Sequence, residues 1–239
     1  MQIVADLHTH TIASTHAYST VSEMARGAKA RGLIAIAITD HGPDMTDAPH
    51  EWHFSNLDIL PRQIDGVTVI RGIEFNIRPG GVLDQISEKS LRPVEFALAS
   101  FHENCFAPST KAMHTEALEA VLHDPRANAL GHPGNAHYDF DQEYIISRCN
   151  EFGKLVEINS NSFAIRQGSK ENCTAIARLC KQYEVPIVVN SDSHIENRVG
   201  YVDNAMAMLE EIGFPEELIV NSSRERLDTY FRSRGLQLF

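Results

Sequence analysis

Two histidines stand two residues apart near the start of the chain, in Asp6-Leu7-His8-Thr9-His10-Thr11, and a third, His16, follows within a short loop. The apolar residues before them read as a short strand. In extended backbone, residues i and i+2 project to the same side, so two imidazoles aim at one point. Paired imidazoles at that spacing are metal-ligand chemistry. Taken alone, His-x-His describes unrelated surface histidines equally well. Its weight comes from repetition down the chain. Six of seven apolar runs that read as strands end on His, Asp or Glu. These ends are His8/His10, His41 in Ile-Thr-Asp40-His41-Gly, Glu74 in Gly-Ile-Glu74, His102 in Phe-His102, His132 in Gly-His132-Pro-Gly, and Asp192/His194 in Ser-Asp192-Ser-His194.

With His16 the set comprises nine donors: His8, His10, His16, His41, Glu74, His102, His132, Asp192 and His194. A tetrahedral zinc site takes roughly three or four. The excess points to two or three ions with a carboxylate bridging a pair, and imidazole-rich sites suit Zn, Fe or Mn. A buried, hydrogen-bonded side chain accounts for any one of these histidines, but not for all of them gathering at strand ends. His114, His123 and His137 fall on helices or loops and read as surface residues. His50 and His53 lie in a long polar loop, residues 43–54, with the only tryptophan, Trp52. That loop is either ordinary surface or a lid carrying substrate contacts. Asp6 and Asp40 adjoin ligand histidines, where they either orient imidazoles through hydrogen bonds or stand as solvated strand-end carboxylates. Asn159 ends the sixth strand and is a candidate contact to substrate or water. Arg71, Arg78 and Arg166 are possible phosphate contacts, each read more simply as a solvated arginine.

The elements that position these residues alternate regularly. Residues 19–32 form a helix, with Thr20 and Glu23 as a capping box and Gly32 as its stop. Residues 33–39 (LIAIAIT) are apolar throughout, as in a strand buried on both faces. A helix bent by Pro61 is expected over 56–65 and an irregular stretch over 76–93. Strands follow at 67–75, 94–100, 127–131, 155–158 and 186–190. Helices are expected at 113–123, from Asp139 and Gln142 to Gly153, and at 170–183, 204–212 and 223–233. Strand–helix alternation implies a parallel sheet with right-handed crossovers. In an open sheet the edge strands lie far apart, so six such ends do not meet. In a closed barrel they converge on one face. The expected fold is therefore α/β, a seven-stranded β/α barrel in one domain over residues 1–239, with its site in the barrel mouth.

Composition narrows the partners. The chain has 239 residues, 43% hydrophobic and 22% charged, as expected of a globular α/β domain. No apolar run approaches the ~20 residues that span a bilayer, and the start lacks a signal-peptide pattern. The four cysteines form no CxxC pair and read as reduced thiols, which places the protein in the cytoplasm. A formal charge of −11 disfavours nucleic acid and anionic membranes as partners.

The strand-end motifs quoted above resemble, end to end, the motif set of the PHP (polymerase and histidinol phosphatase) superfamily, and the length and spacing resemble its YcdX-type stand-alone phosphatases. The resemblance implies a distorted (β/α)7 barrel holding three metal ions, usually zinc. It groups His8, His10, Glu74 and Asp192 on one ion and His16, His41 and His194 on a second. Glu74 then bridges to a third, held also by His102 and His132. It further implies hydrolysis of a small phosphomonoester by a metal-bound hydroxide attacking phosphorus in line, and a homo-oligomer, by similarity a trimer. Three divalent ions against two carboxylates leave a cationic pocket that attracts a phosphate dianion despite the acidic surface. Two other readings stay open: a phosphodiesterase or exonuclease acting on nucleic acid, and a metal-binding module without catalysis.

Overall fold

A computed structural model describes residues 1–239. Its strands are β1 (Ala5–Asp6), β2 (Ala35–Ile38), β3 (Gln63–Ile64), β4 (Val67–Asn76), β5 (Phe96–Ser100), β6 (Ala129–Leu130), β7 (Leu155–Asn159) and β8 (Ile187–Asn190). Seven of them run parallel in the order β1-β2-β4-β5-β6-β7-β8, while β3 pairs antiparallel with β4 as a short hairpin. The helices are α1 (Val21–Ala30), α2 (Trp52–Ser55), α3 (Glu88–Leu91), α4 (Lys111–His123), α5 (Gln142–Ile146), α6 (Ser162–Ile165), α7 (Ser169–Gln182), α8 (Asp203–Glu211) and α9 (Arg224–Ser233).

The barrel is nearly closed, and its seam is unusual. At the mouth, Thr9 bridges Ser193 in parallel register and the His10 N–H donates to Ser193 O at 2.8 Å. Deeper down, β1 and β8 do not pair with each other. Asn221 fills the gap. Its Nδ2 donates to Ala5 O (2.8 Å) and Val189 O (2.7 Å), its Oδ1 accepts from Val189 N (3.0 Å), and its carbonyl accepts from Val4 N (2.8 Å). One side chain thus satisfies strand-edge groups that would otherwise be buried without partners.

The strands sort their residues by the two-residue period. One apolar cluster lies between the sheet and the helices and contains Ile36, Ile38, Ile73, Phe75, Val156 and Ile158. A second contains the alternate residues Ala35, Ala37, Ile70, Phe96, Leu98, Leu155 and Val188, with Leu227, Phe231 and Leu238 from the chain's end. That inner face continues by steps of two from Ile70 to Glu74, from Leu98 to Ser100, from Leu155 to Glu157 and Asn159, and from Val188 to Asn190. The barrel interior is therefore apolar at the base and polar at the mouth. Small residues set the spacing between these layers: a Cβ on Gly131 would lie 2.0 Å from Ser100 Oγ.

Most expected elements are present. Thr20 and Glu23 form the reciprocal capping box of α1, and Gly32 follows its end at φ +75°. The helix expected over 56–65 is absent. There the chain makes only a 3-10 turn at Leu57–Ile59 and then β3, because Pro61 and the Asp65–Gly66 pair, both at positive φ, favour an extended segment and a hairpin over a helix. The cap of α5 is Asp141, whose side chain accepts from Tyr144 N, rather than Asp139. All four cysteines are free thiols. No helix is long and apolar enough to cross a membrane.

Candidate metal centre in the barrel mouth

The nine sequence-predicted residues gather in one cluster, five of the imidazoles around Glu74. Its Oε1 lies 3.3 Å from His8 Nε2, 3.4 Å from His102 Nε2 and 3.0 Å from His132 Nε2. Its Oε2 lies 3.5 Å from His10 Nε2 and 2.8 Å from His41 Nδ1. Asp192 Oδ1 stands 3.3 Å from His10 Nε2 and 3.6 Å from His8 Nε2. His16 Nε2 faces His41 Nε2 at 3.3 Å and His194 Nε2 at 2.9 Å. The donors interlace, since His10, His41 and His194 also converge as a trio.

Several of these contacts bring lone pairs together. His16 gives its Nδ1–H to Asp47 Oδ2 (2.5 Å), and His194 gives its own to Asp192 O (3.0 Å). In the neutral ring the other nitrogen is then an acceptor. The two Nε2 lone pairs therefore point at each other, which is repulsive unless a cation lies between them. His8 and His10 approach similarly, Nε2 to Nε2 at 3.1 Å, with His8 Nδ1 engaged by Glu157 at 2.7 Å. Two imidazole nitrogens each ~2.0–2.1 Å from one tetrahedral zinc lie roughly 3.3 Å from each other. The observed separations, 2.9, 3.1 and 3.3 Å, lie at or just below that length. Both carboxylate oxygens of Glu74 are buried and meet imidazole nitrogens alone, three at Oε1 and two at Oε2. A buried carboxylate ringed by five imidazole nitrogens is costly in a finished core and is expected where an ion completes the set. The residues present fit divalent metals.

Protonation favours the same reading. Burial opposes ionisation of Glu74 and Asp192, yet the surrounding imidazoles hold both carboxyls well below the ordinary range. Burial together with the neighbouring His194 and His41 pushes His10 well down, and burial pushes His102 down to about 4. Ionised carboxylates and neutral imidazoles are the forms that ligate. His8 and His41 are the exceptions: burial lowers both, but Glu74 and Asp192, joined at His8 by Glu157, outweigh it and raise them, His8 well above normal.

The groups that aim the imidazoles are not those the sequence suggested. Asp6 is fully buried and touches no donor ring; it accepts from Ser191 Oγ (2.5 Å) and Gly200 N (2.8 Å), fixing the turn that carries Asp192. Asp40 is also buried. It accepts from Thr11 N, Thr11 Oγ1 and Ser14 Oγ, each at 2.8 Å, and so shapes the loop that leads to His16. Neither carboxylate is solvated. Asn159 lies beneath the cavity, where its Nδ2 reaches Asp192 Oδ2 at 3.2 Å, so it props a donor rather than meeting solvent or substrate. His53 backs onto Asp40 (3.4 Å) and His50 accepts from Trp52 N (3.2 Å); neither they nor Trp52 line the cavity. His114, expected at the surface, is buried between Asp139 O and Ser109 N. Arg71 is bound to the carbonyls of Asp58 and Leu60, and Arg78 is paired with Asp44. Of the three candidate arginines only Arg166 lines the mouth.

Three orienting groups escaped the sequence reading. Glu157 accepts from His8 Nδ1 (2.7 Å), His132 N (2.6 Å) and Asn190 Nδ2 (2.8 Å). Its signal was legible: it is the one charge inside the buried run Leu155-Val156-Glu157-Ile158. Asn76 accepts from His102 Nδ1 at 2.7 Å while its own amide is anchored on Asp84 and Gly42 O. Asp47 orients His16 from a loop with no periodicity to mark it. Two donors sit at positive φ, His132 at 28° and Asp192 at 54°. Such backbone costs about 1–3 kcal/mol and persists where surroundings over-determine it. Here the Glu157–His132 N–H bond and the Asp6 turn do so.

Above the donors opens a cavity of 720 Å³ with Ser160, Asn161, Ile165, Arg166, Ile195 and Arg198 in its outer wall. A nearly closed parallel β/α barrel that gathers seven imidazoles and two carboxylates in one mouth has the make-up of a metal-dependent barrel hydrolase. The comparisons with known proteins specify the family. The PHP domain model matches residues 6–233, and the chain belongs to that family. It is 47% identical to a probable phosphatase of Acetivibrio thermocellus over 98% of this chain and 97% of that protein. A probable phosphatase of Shewanella sp. (strain ANA-3) is 43% identical over 99% of this chain and 94% of its own length. In fold it is similar to the histidinol phosphate phosphatase of Lactococcus lactis, solved with zinc, L-histidinol and phosphate (TM-score 0.67, 18% identity, 90% of this chain and 95% of that one).

Proposed function

We infer that this protein is a metal-dependent phosphatase acting on a small phosphomonoester, with three ions, zinc by similarity, in the barrel mouth. The observation that carries the reading is the set of imidazole lone pairs facing one another, with the buried Glu74 carboxylate ringed by five imidazole nitrogens. His8, His10, Glu74 and Asp192 would hold one ion; His16, His41 and His194 a second; and His102 and His132, with Glu74 bridging, a third. Manganese or iron would suit the same donors. Bound divalent ions supply Lewis acidity toward phosphoryl oxygens and a water of pKa near ~7.

The chain's own groups do the rest. Glu157, Asp47, Asn76 and the Asp192 carbonyl fix which nitrogen of His8, His16, His102 and His194 faces the mouth, so these four rings need little reorganisation on loading. Arg166, whose Nη1 is held by Ser162 Oγ at 2.6 Å and lies 3.8 Å from Asp192 Oδ2, is placed to pair with phosphoryl oxygens entering above the donors. The partly enclosed cavity limits the size of the leaving group. An exonuclease would need a basic track for the polyanion. The cavity wall offers only two arginines, Arg166 and Arg198, which favours the small ester. The test is hydrolysis of a panel of phosphomonoesters and diesters by metal-loaded protein, with and without chelator. Chelator-sensitive turnover of monoesters is expected. Preference for diesters would favour the nuclease, and no turnover of any ester the binding module.

A further inference from the structure

The cavity is larger than a phosphate needs. At 720 Å³ it falls in the ~300–1,000 Å³ range of sites that enclose whole small molecules. Its outer part is built unlike the donor basket. Ile165 and Ile195 present exposed apolar side chains there, beside Asn161, Asn204 and the half-exposed ring of Tyr201. Two charges flank them. Asp203 is matched by Arg31, whose Nη2 lies 3.4 Å from its carboxylate. Arg198 is not matched. Its guanidinium makes no ion pair and no hydrogen bond. It rests over the Tyr201 ring, 5.5 Å from the centroid, and Tyr201 is flanked again by Arg31 at 4.4 Å. The nearby carboxylate of Glu196 is taken by Arg26 at 3.6 Å. Arg166, the other arginine of the wall, is engaged at the inner end by Ser162 and Asp192. The outer wall therefore holds one uncommitted cation, steadied by an aromatic face and lining the same cavity as Ile165 and Ile195.

We propose that Arg198 is the specificity residue of this site and that the substrate is a phosphomonoester whose leaving group carries a second oxyanion, a carboxylate or another phosphate. The proposal rests on the phosphatase reading for the end of the cavity that takes the scissile group. A guanidinium over an aromatic ring keeps its fork of donors free for bidentate capture of an oxyanion. Ile165 and Ile195 would pack the carbon skeleton between the two charged ends. A substrate with one anionic group would leave Arg198 as solvated as it is without ligand and gain nothing from it.

The test is binding rather than turnover. Affinities of metal-loaded protein for methylphosphonate, 3-phosphonopropionate, 4-phosphonobutyrate and propane-1,3-diphosphonate are measured by calorimetry. At least one doubly anionic probe should bind about tenfold or more tightly than methylphosphonate, as a charge-assisted contact provides. Arg198→Met should collapse that ratio to near one, and Arg198→Lys should keep part of it, with thermal melting confirming that both variants fold. Carboxylate and phosphonate tails separate the two kinds of oxyanion. Equal affinity for all four probes, or a ratio unchanged in Arg198→Met, overturns the proposal. Hydrolysis of p-nitrophenyl phosphate by the same preparation tests the phosphatase reading separately, so failure of one is not mistaken for failure of the other.

Discussion

Glu157→Gln is the sharpest perturbation of the centre, because it removes a charge and almost no volume. The carboxylate accepts from four donors: His8 Nδ1 and Asn190 Nδ2 on Oε1, His132 N and Asn159 Nδ2 on Oε2. A glutamine has one acceptor oxygen. Whichever way the amide lies, its NH2 meets two groups that also donate. If it faces His8, the ring relieves the clash by moving its proton to Nε2, the nitrogen that looks into the donor basket at Glu74 and Asp192. If it faces the other side, the strained His132 backbone loses its 2.6 Å anchor. Loss of such an orienting partner costs about 10–100-fold in metal affinity, or about 1.4–2.8 kcal/mol. Chelator competition on wild type and variant reads this directly, with zinc occupancy followed at fixed pH. The expected result is weaker binding of that size and a smaller rise in melting temperature on adding metal. Affinity within twofold of wild type would refute the claim that Glu157 sets the His8 tautomer.

Other consequences are more easily stated. Glu74→Ala should lose more than one equivalent of metal and ester hydrolysis together, because the side chain faces five imidazoles; full metal content measured by elemental analysis would rule out a bridging role. Asn221→Ala should destabilise the fold by about 2–4 kcal/mol in denaturant melts, since it strands seam groups on both β1 and β8; a loss under about 1 kcal/mol would show that the seam closes without it. Lys154 is buried with its ammonium on Asp124 O and Ala127 O, and burial pushes its pKa down to about 8. The unfolded chain keeps that proton to about pH 10.4. Between those values the unfolded state binds more protons, so stability should rise with pH there. Lys154→Met should flatten that rise; an unchanged slope would place its origin elsewhere.

The clustering of these nine side chains was legible because each strand of a parallel barrel ends at the same rim, so a motif read one strand at a time describes one place in space. The two-residue period put His8 with His10, and the polar strand ends distinguished a closed barrel from an open sheet. What aims the rings was less visible. Asp47 and Asn76 act on histidines 31 and 26 residues away, across loops and neighbouring strands, and only packing reveals that. Asp6 and Asp40 misled for the same reason: adjacency in sequence suggested contact with the neighbouring imidazole, but at the strand ends their side chains turn to backbone N–H groups and hydroxyls of the next loop. Asn221 gave no signal, because an asparagine in a polar turn looks ordinary until the strand edges on either side are seen to lack partners. His114 shows that a helix position says little about burial when the next loop folds over it.

Metal content tests most directly whether the nine side chains form a metal centre. Protein loaded with zinc, freed of excess by gel filtration and analysed by mass spectrometry of the element should carry three equivalents per chain. Two would remove the His102–His132 cluster from the account, and one or none would contradict it.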